Sequence, residues 1–202
     1  MVWYRFDKKR TTDDLLRLSA GWLKKHDYLR ENSIINGRLS WKQHSEAYPP
    51  KETGSLNFSA NFFGEKRHIT LFYKYRDREY ISLDIPIVCS YPYYGGRRYW
   101  FLCPRCGRKS TFLYGGKYFL CRRCQNLSYP TQQMGFWERM LARSRKYEKR
   151  VLKDGCRKPW VHQSTFEKYM DRSEDYEMRG LFAMCRVLKD WQGNDKTHLN
   201  FK

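Results

Sequence analysis

Four cysteines occur as two close pairs, and their spacing constrains the fold more than any other feature of the chain. Cys103 and Cys106 enclose two residues, as do Cys121 and Cys124, and fourteen residues separate the pairs. Two intervening residues let one tight turn direct both thiolates at a single metal ion, and a hairpin between the pairs brings the second turn back to complete a tetrahedron. The spacing therefore predicts a four-cysteine zinc ribbon with these cysteines as ligands.

The residues between the pairs favour that hairpin. Residues 109–114 and 117–120 are rich in β-forming side chains, and Gly115-Gly116 between them is a turn signal. Gly107, directly after the first pair, allows the positive φ that a metal-binding turn needs. A redox dithiol would need only one such pair, beside a βαβ pattern that the sequence does not show. Because four cysteines leave no coordination position for water, we expect one structural zinc ion rather than a catalytic one.

The positive charge of the chain is concentrated in one segment. The net charge is +19, and residues 95–160 hold 17 Lys and Arg against three acidic residues. Residues 161–202, in contrast, hold seven of each sign. Such a concentration predicts a polyanionic partner, which we expect to be DNA first and RNA second.

The segment that begins at Met134 has the period of an amphipathic helix. Apolar residues recur there at steps of three and four, and the opposite face is almost wholly basic. The alternative is a solvated face without a partner, but such faces usually mix the two signs. The predicted nucleic-acid-binding residues are cations of the ribbon and of this helix: Arg97, Arg98, Arg105, Arg108, Arg122, Arg123, Arg139, Arg143, Lys146, Lys149 and Arg150.

Aromatic side chains and arginines alternate just before the first cysteine pair. Residues 90–101 read SYPYYGGRRYWF, so that tyrosines and a tryptophan surround Arg97 and Arg98. Side chains of these types can stack on bases and hold phosphates. The interpretation that the sequence favours is simpler: the aromatic residues pack the ribbon against the rest of the fold.

Alternating apolar and polar residues between 36 and 88 predict an antiparallel sheet with one buried face. The apolar positions of the clearest runs are Leu56, Phe58, Ala60, Phe62, Ile69, Leu71, Tyr73, Tyr75, Ile81, Leu83, Ile85 and Ile87. Asn36-Gly37 is a turn signal before a further strand. A short helix is predicted at 13–26, and a second long helical pattern at 166–188 should fold back on the basic helix.

The chain is thus predicted to be an α+β protein with an N-terminal antiparallel β-meander, a central four-cysteine zinc ribbon and a C-terminal helical hairpin. The corresponding domains are residues 1–94, 95–133 and 134–202. No apolar run of about 18 residues predicts a membrane span, and the first eight residues lack the apolar stretch of a signal peptide. Cys89, Cys156 and Cys185 remain after the ligands are assigned. Because an odd number of cysteines fits a reducing compartment, we expect a cytoplasmic protein.

Candidate catalytic groups do not cluster in the sequence. The five histidines lie apart from one another and from carboxylates at ligand spacing, and no phosphate-binding glycine loop is present. The acidic residues between 171 and 177 are predicted to form a solvated helix face. We therefore expect neither enzymatic activity nor a small-molecule substrate, and a nuclease is the least expected function.

The stretch 95–133 resembles a family of small zinc-ribbon proteins found in bacterial chromosomes and mobile elements. The resemblance rests on residues 95–108 (GGRRYWFLCPRCGR), 119–124 (FLCRRC) and 127–129 (LSY). It implies the zinc site and a bacterial or phage setting, but no activity and no catalytic residue. Two functions remain open. One is a nucleic-acid-binding regulator or accessory factor of a mobile element. The other is a protein-docking module, such as a phage or mobile-element inhibitor of a host defence nuclease, whose partner would be an acidic or nucleic-acid-loaded complex.

Overall fold

The computed structural model describes residues 8–43, 51–64, 66–76 and 78–195, with the backbone alone at 43, 51 and 191–195. The signal-peptide prediction falls mainly on residues 1–7, which lie outside these ranges. The chain forms two compact units, one ending at Pro130 and the other beginning at Thr131. It is a mixed α/β protein, with a sheet region in the first unit and helices in the second.

The described part of the first unit contains a six-stranded antiparallel sheet, a two-stranded sheet and a short helix. Its elements are β1 (Arg17–Ser19), α1 (Ala20–Lys25), β2 (Ile34–Gln43), β3 (Lys51–Asn61), β4 (His68–Tyr75), β5 (Glu79–Ser90), β6 (Arg98–Leu102), β7 (Lys109–Ser110) and β8 (Phe112–Tyr114). Strands β2 to β6 each pair with the next strand in the chain, whereas β1 pairs with β8. This order places β6 and β7, which flank the first cysteine pair, at one edge of the larger sheet.

The period-two pattern predicts the buried face of the sheet correctly. Most of the predicted apolar positions on β3, β4 and β5 and directly after β3 are buried: Leu56, Phe58, Ala60, Phe62, Ile69, Leu71, Ile81, Ile85 and Ile87. Tyr73, Tyr75 and Leu83, also predicted on that pattern, are half-buried. The burial follows because successive side chains of a strand point to opposite faces, so one apolar set can leave water together.

The helix predicted at 13–26 is wrong in its first half. Residues 17–19 form β1 instead, where Leu18 pairs with Leu113 of β8 and is buried. Ser19 then begins the helix, since its Oγ accepts a hydrogen bond from the backbone N–H of Trp22 at 3.2 Å. Pairing with a distant strand outweighs the local helical pattern before residue 20.

The turn predicted at Asn36-Gly37 is also wrong, because both residues lie inside β2. Gly37 pairs with Phe58 of β3, and a Cβ atom at position 37 would come within 2.8 Å of the Phe58 ring. The glycine is needed there for the close approach of an aromatic ring rather than for a turn.

The larger sheet continues across the predicted domain boundary between 94 and 95, because β5 pairs with β6. Residues 109–114, predicted as one arm of a hairpin, are divided between β7, which pairs with β6, and β8, which pairs with β1. Residues 117–120, the predicted second arm, do not form a strand. They meet the first arm through two reciprocal backbone hydrogen bonds between Tyr114 and Leu120, at 2.8 and 3.1 Å.

The elements from Pro130 onward are mainly helical. They are α2 (Pro130–Gln133), α3 (Phe136–Val151), β9 (Leu152–Lys153), β10 (Cys156–Arg157) and α4 (Gln163–Asp195). Helices α3 and α4 form the predicted antiparallel pair. As α3 runs forward through Leu141, Ser144 and Arg150, the α4 residues that contact these three run backward, from Gly180 through Ser173 to Tyr169. The predicted aromatic and methionine stripe is only partly buried, and a buried hydrogen bond of 2.9 Å between Ser144 Oγ and Ser173 Oγ lies at the centre of the pair.

Tyr73 joins β4 to the residues between the cysteine pairs, because its hydroxyl donates a hydrogen bond to the Lys117 carbonyl at 2.8 Å. Burial, assisted by nearby Tyr118 and Glu79, raises the pKa of Tyr73 to about 12. A tyrosine in an unfolded chain ionises near pH 10, so the stabilisation from this group is complete below about pH 10 and is lost as the pH rises toward about 12.

We expect Tyr73→Phe to remove the loss of stability that ionisation of Tyr73 causes at alkaline pH. At neutral pH the free energy of unfolding should fall by about 1 kcal/mol, because the variant lacks the hydrogen bond to the Lys117 carbonyl. Urea unfolding of both proteins at about pH 8 and about pH 11 measures the difference. An equal loss of stability in the two proteins between these pH values would contradict the prediction.

Candidate metal centre and basic surfaces

The four predicted ligands come together in the first unit. The Sγ atoms of Cys103, Cys106, Cys121 and Cys124 all lie within 4.8 Å of one another, and those of Cys106 and Cys121 are 3.8 Å apart. For a zinc–sulfur distance of about 2.3 Å, the edge of a tetrahedron of sulfurs is about 3.8 Å. The cluster therefore fits one metal ion. Within the described residues, no other group of three or more cysteine, histidine or acidic side chains could hold one.

Backbone hydrogen bonds shape the two turns that carry the cysteines. In the first turn, the Gly107 N–H donates to the Cys103 carbonyl at 2.8 Å, and the Cys103 N–H donates to the Arg108 carbonyl at 3.0 Å. Gly107 has the positive φ predicted for it, 66°, and the second turn contains Asn126 at a φ of 53°. Asn tolerates this left-handed region better than most residues, so its presence two residues after Cys124 is a sequence signal that the spacing of the cysteines alone does not convey.

Gln125 holds the second turn against the connecting segment. Its Nε2 donates to the carbonyls of Tyr114 and Tyr118 at 2.9 and 2.8 Å. A Cβ atom at position 116 would lie 2.9 Å from that Nε2, so Gly116 makes room for the side chain. The structure thus assigns a positioning role to a residue that no motif identifies.

The electrostatics of the cluster favour binding of a cation. Burial raises the pKa of Cys103, but backbone N–H groups of Cys121, Cys106 and Arg105 directed at its sulfur outweigh burial and lower that pKa to about 7. Burial and the neighbouring thiols raise the pKa of Cys124, to about 12, and raise that of Cys121. Several thiolates at this separation repel one another, so a divalent cation is needed for the whole cluster to ionise.

The metal-binding cluster is continuous with the hydrophobic core of the first unit. Cys103 and Cys121 are buried in the same cluster of side chains as Phe101, Leu113 and Phe119. Cys106 is exposed, so the site is open to water on one side. A change at the cluster will therefore affect the packing of the sheet and not the cysteine turns alone.

Arg97 and Arg98, two of the predicted ribbon cations, already have partners within the fold. Arg97 Nη1 forms an ion pair with Glu31 Oε1 at 3.0 Å. The Arg98 guanidinium lies 4.1 Å from the centre of the Trp100 ring. Glu31, which sequence reasoning missed, also pairs with Arg67 at 3.0 Å, and its position far along the chain from both arginines explains why no local motif revealed it.

The other four predicted ribbon cations divide into two kinds. Arg122 is held in the fold, because Nη1 donates to the Leu127 carbonyl at 2.9 Å and the guanidinium covers the Tyr129 ring at 4.6 Å. Within the described part of the chain, the Arg105 side chain makes only a long hydrogen bond, of 3.5 Å, to the Cys124 carbonyl. Arg108 and Arg123 are exposed, and the described residues offer their side chains no hydrogen bond or ion pair. Arg105, Arg108 and Arg123 are therefore the members of this set most available to an external anion.

The five predicted cations of the basic helix all lie on α3. Arg139, Arg143, Lys146 and Arg150 follow one another at steps of four, three and four residues, so they share one face, and Lys149 borders it. Arg143 and Arg150 also contact tyrosine rings of α4, Tyr176 and Tyr169, at 5.6 Å each. We call the exposed surface formed by Arg139, Arg143, Lys146, Lys149 and Arg150 the α3 basic face.

Neither carboxylate of α3 neutralises this face. Glu138 Oε2 accepts a hydrogen bond from the Gly135 N–H at 2.6 Å and so caps the start of the helix. Glu148 Oε1 accepts a hydrogen bond from Ser173 Oγ at 3.2 Å, on the side that packs against α4. Among the described residues, none of the ion pairs involves a residue of α3. The positive charge of the α3 basic face is therefore not compensated by the carboxylates of its own helix.

The chain is thus a mixed α/β protein with a cluster of four cysteines that could hold one metal ion. No known protein family, curated protein or solved structure matches the chain. None of the helices in the described ranges combines the length and apolar character needed to cross a membrane.

Proposed function

We propose that the protein is a zinc-containing nucleic-acid-binding protein that prefers DNA to RNA. The observation that supports this most directly is the α3 basic face, whose charge the carboxylates of its own helix leave uncompensated. Exposed Lys and Arg side chains contact phosphates, which gives affinity and strong salt dependence before any choice of sequence. A role as regulator or accessory factor of a bacterial mobile element rests on the resemblance of residues 95–133 and is part of the same proposal.

Zinc is the metal that we propose for the cysteine cluster. Four thiolates in a tetrahedron suit zinc or iron, and four protein ligands make the site structural. When bound, the metal would be held by Cys103, Cys106, Cys121 and Cys124. It would stabilise the fold by cross-linking the two turns and would not take part in a reaction. Elemental analysis of the purified protein is expected to give one zinc per chain, and stoichiometric iron would contradict the assignment.

Binding to labelled nucleic acid across a salt series tests the function. We expect log affinity for a mixed-sequence duplex to fall linearly with log salt, with a slope of about −0.9 for each phosphate that the protein neutralises. RNA of the same sequence should bind more weakly. Failure of a zinc-loaded sample to bind DNA or RNA at low salt would overturn the proposal.

A protein-docking module is the second candidate function, and an apolar stripe on α4 favours it. The stripe consists of Met178, Leu181, Phe182 and Leu188, which are between 41% and 72% exposed. Methionine and aromatic side chains are typical of protein interfaces, so this exposed stripe is suited to a protein partner. An inhibitor of a host defence nuclease would use such a surface together with its positive charge. This candidate becomes the preferred one if the zinc-loaded protein binds no nucleic acid.

A further inference from the structure

The connection between β5 and β6 exposes three tyrosines. Tyr91 is 70% exposed, and Tyr93 and Tyr94 are each 97% exposed. The sequence interpretation that the aromatic residues of this stretch pack into the fold is right for Tyr99 and Phe101, which are buried, but wrong for these three. Fully exposed aromatic rings bury none of their apolar surface, so they contribute little to folding and are available to a ligand. We call residues 91–94 the tyrosine tip.

The tyrosine tip has a defined backbone conformation. The Gly95 N–H donates to the Pro92 carbonyl at 3.0 Å and closes a turn, and both Gly95 and Gly96 adopt a positive φ, of 80° and 83°. At its base, Trp100 Nε1 donates to Ser90 Oγ at 2.8 Å and ties β6 to the end of β5. The rings of Tyr93 and Tyr94 contact each other edge to face, with centroids 5.5 Å apart. The turn thus presents two neighbouring rings to solvent.

Positive charge surrounds the base of the tip. Glu31 is shared by Arg67 and Arg97, at 3.0 Å from each, and also accepts a hydrogen bond from the Tyr99 hydroxyl at 3.1 Å. The Lys24 ammonium donates to the Arg97 carbonyl and adds a third cation to the group. Arg98 follows directly and lies over the Trp100 ring. One carboxylate therefore faces several cations, and the excess favours a negatively charged ligand.

We propose that the tyrosine tip stacks on unpaired bases of single-stranded nucleic acid while the cations at its base contact the adjacent phosphates. This inference rests on the proposed nucleic-acid-binding function and assigns a second, base-contacting element to it. The faces of paired bases are covered by their neighbours in a duplex, so a protruding ring can stack only on a base that is unpaired and splayed out. Single-stranded DNA and RNA share this chemistry.

The test compares Tyr93→Ala/Tyr94→Ala with Tyr93→Phe/Tyr94→Phe. The probes are labelled DNA and RNA strands of about 16 nucleotides and the corresponding DNA duplex. The alanine pair is expected to lower the affinity for a single strand about tenfold or more, because each stacked base contributes substantially to binding. The phenylalanine pair retains both rings and should stay within about twofold of the unchanged protein. Both pairs should bind the duplex normally. Since the two side chains are 97% exposed, both variants are expected to fold.

A second measurement locates the contact directly. Photo-crosslinking to a DNA strand that contains 5-bromouracil, followed by trypsin digestion, should attach the strand to the peptide of residues 79–97, which is free of internal Lys and Arg. Crosslinks that map to other peptides alone would overturn the stacking proposal.

The outcomes separate this inference from the proposed function. If the unchanged protein binds the duplex but no single strand, the proposed function stands and the tip assignment fails. If the unchanged protein binds neither the duplex nor a single strand, the proposed function and the tip assignment both fail. Equal losses for strand and duplex in the alanine pair would also overturn the inference, because they would show a contact that does not depend on unpaired bases. If the alanine pair weakens binding of the DNA strand alone, DNA is the natural ligand of the tyrosine tip. If it weakens binding of the RNA strand alone, RNA is.

Discussion

Cys103→Ser is expected to abolish zinc retention and to unfold the first unit. Metal binding in four-ligand sites of this kind contributes about 10–16 kcal/mol, which is more than the total stability of a typical domain. Cys103 is 2% exposed and lies in the same buried cluster as Phe101 and Leu113. The loss should therefore reach the core of the sheet, and not only the two cysteine turns.

Zinc content and thermal unfolding of Cys103→Ser measure this effect, with Cys156→Ser as the matched control. Cys156 is exposed and lies on β10, outside the cluster, so its replacement should leave one zinc per chain and an unchanged unfolding temperature. A strong chelator added to the unchanged protein should reproduce the effect of Cys103→Ser. A cooperatively folded, zinc-free Cys103→Ser variant would contradict a structural role for the metal.

Replacing Arg139, Lys146 and Lys149 together with alanine is expected to weaken nucleic-acid binding roughly tenfold or more. The salt slope should become shallower by about 0.9 for each phosphate that the variant no longer neutralises. These three side chains are exposed, and their replacement leaves the tyrosine rings of α4 in place. Arg143 and Arg150 are less suitable, because each also lies over a tyrosine ring, so their replacement would change helix packing as well as charge.

The matched control for this triple variant removes the same charge from α4. Lys168, Arg172 and Arg186 are exposed on that helix, where acidic residues are interspersed. If net charge alone governs binding, the two triple variants will lose equal affinity, and the α3 basic face will have no special role. Zinc content and the unfolding temperature should be unchanged in both, which separates weaker phosphate binding from a loss of fold.

Several features of the fold could be predicted because they depend on neighbours in the sequence. The two cysteine turns need only close ligand spacing and a residue such as Gly107 that accepts a positive φ. Burial along β3, such as that of Leu56 and Phe58, follows from the alternation of side chains in an extended strand. The period of α3 likewise appears in its own residues, and the structure places this helix at Phe136–Val151.

Other features were predicted wrongly from the sequence because they depend on partners far along the chain. Residues 17–19 follow a helical pattern, but pairing with β8 makes them a strand. Asn36-Gly37 has the composition of a turn, yet the Phe58 ring of the neighbouring strand requires a glycine inside β2. Local propensity is worth less than a packed and hydrogen-bonded partner, so the tertiary contact prevails in both places.

The same distinction applies to the candidate sites. The sequence by itself determined which cysteines form the metal-binding cluster and which segment carries the excess charge, since both are matters of composition and spacing. Only the tertiary structure decided which side chains remain available. It engages Glu138 and Glu148 in hydrogen bonds, binds Arg97 to Glu31, and leaves Tyr93 and Tyr94 in water. The physical reason is that exposure and pairing depend on what else the folded chain brings into contact, which no local pattern records.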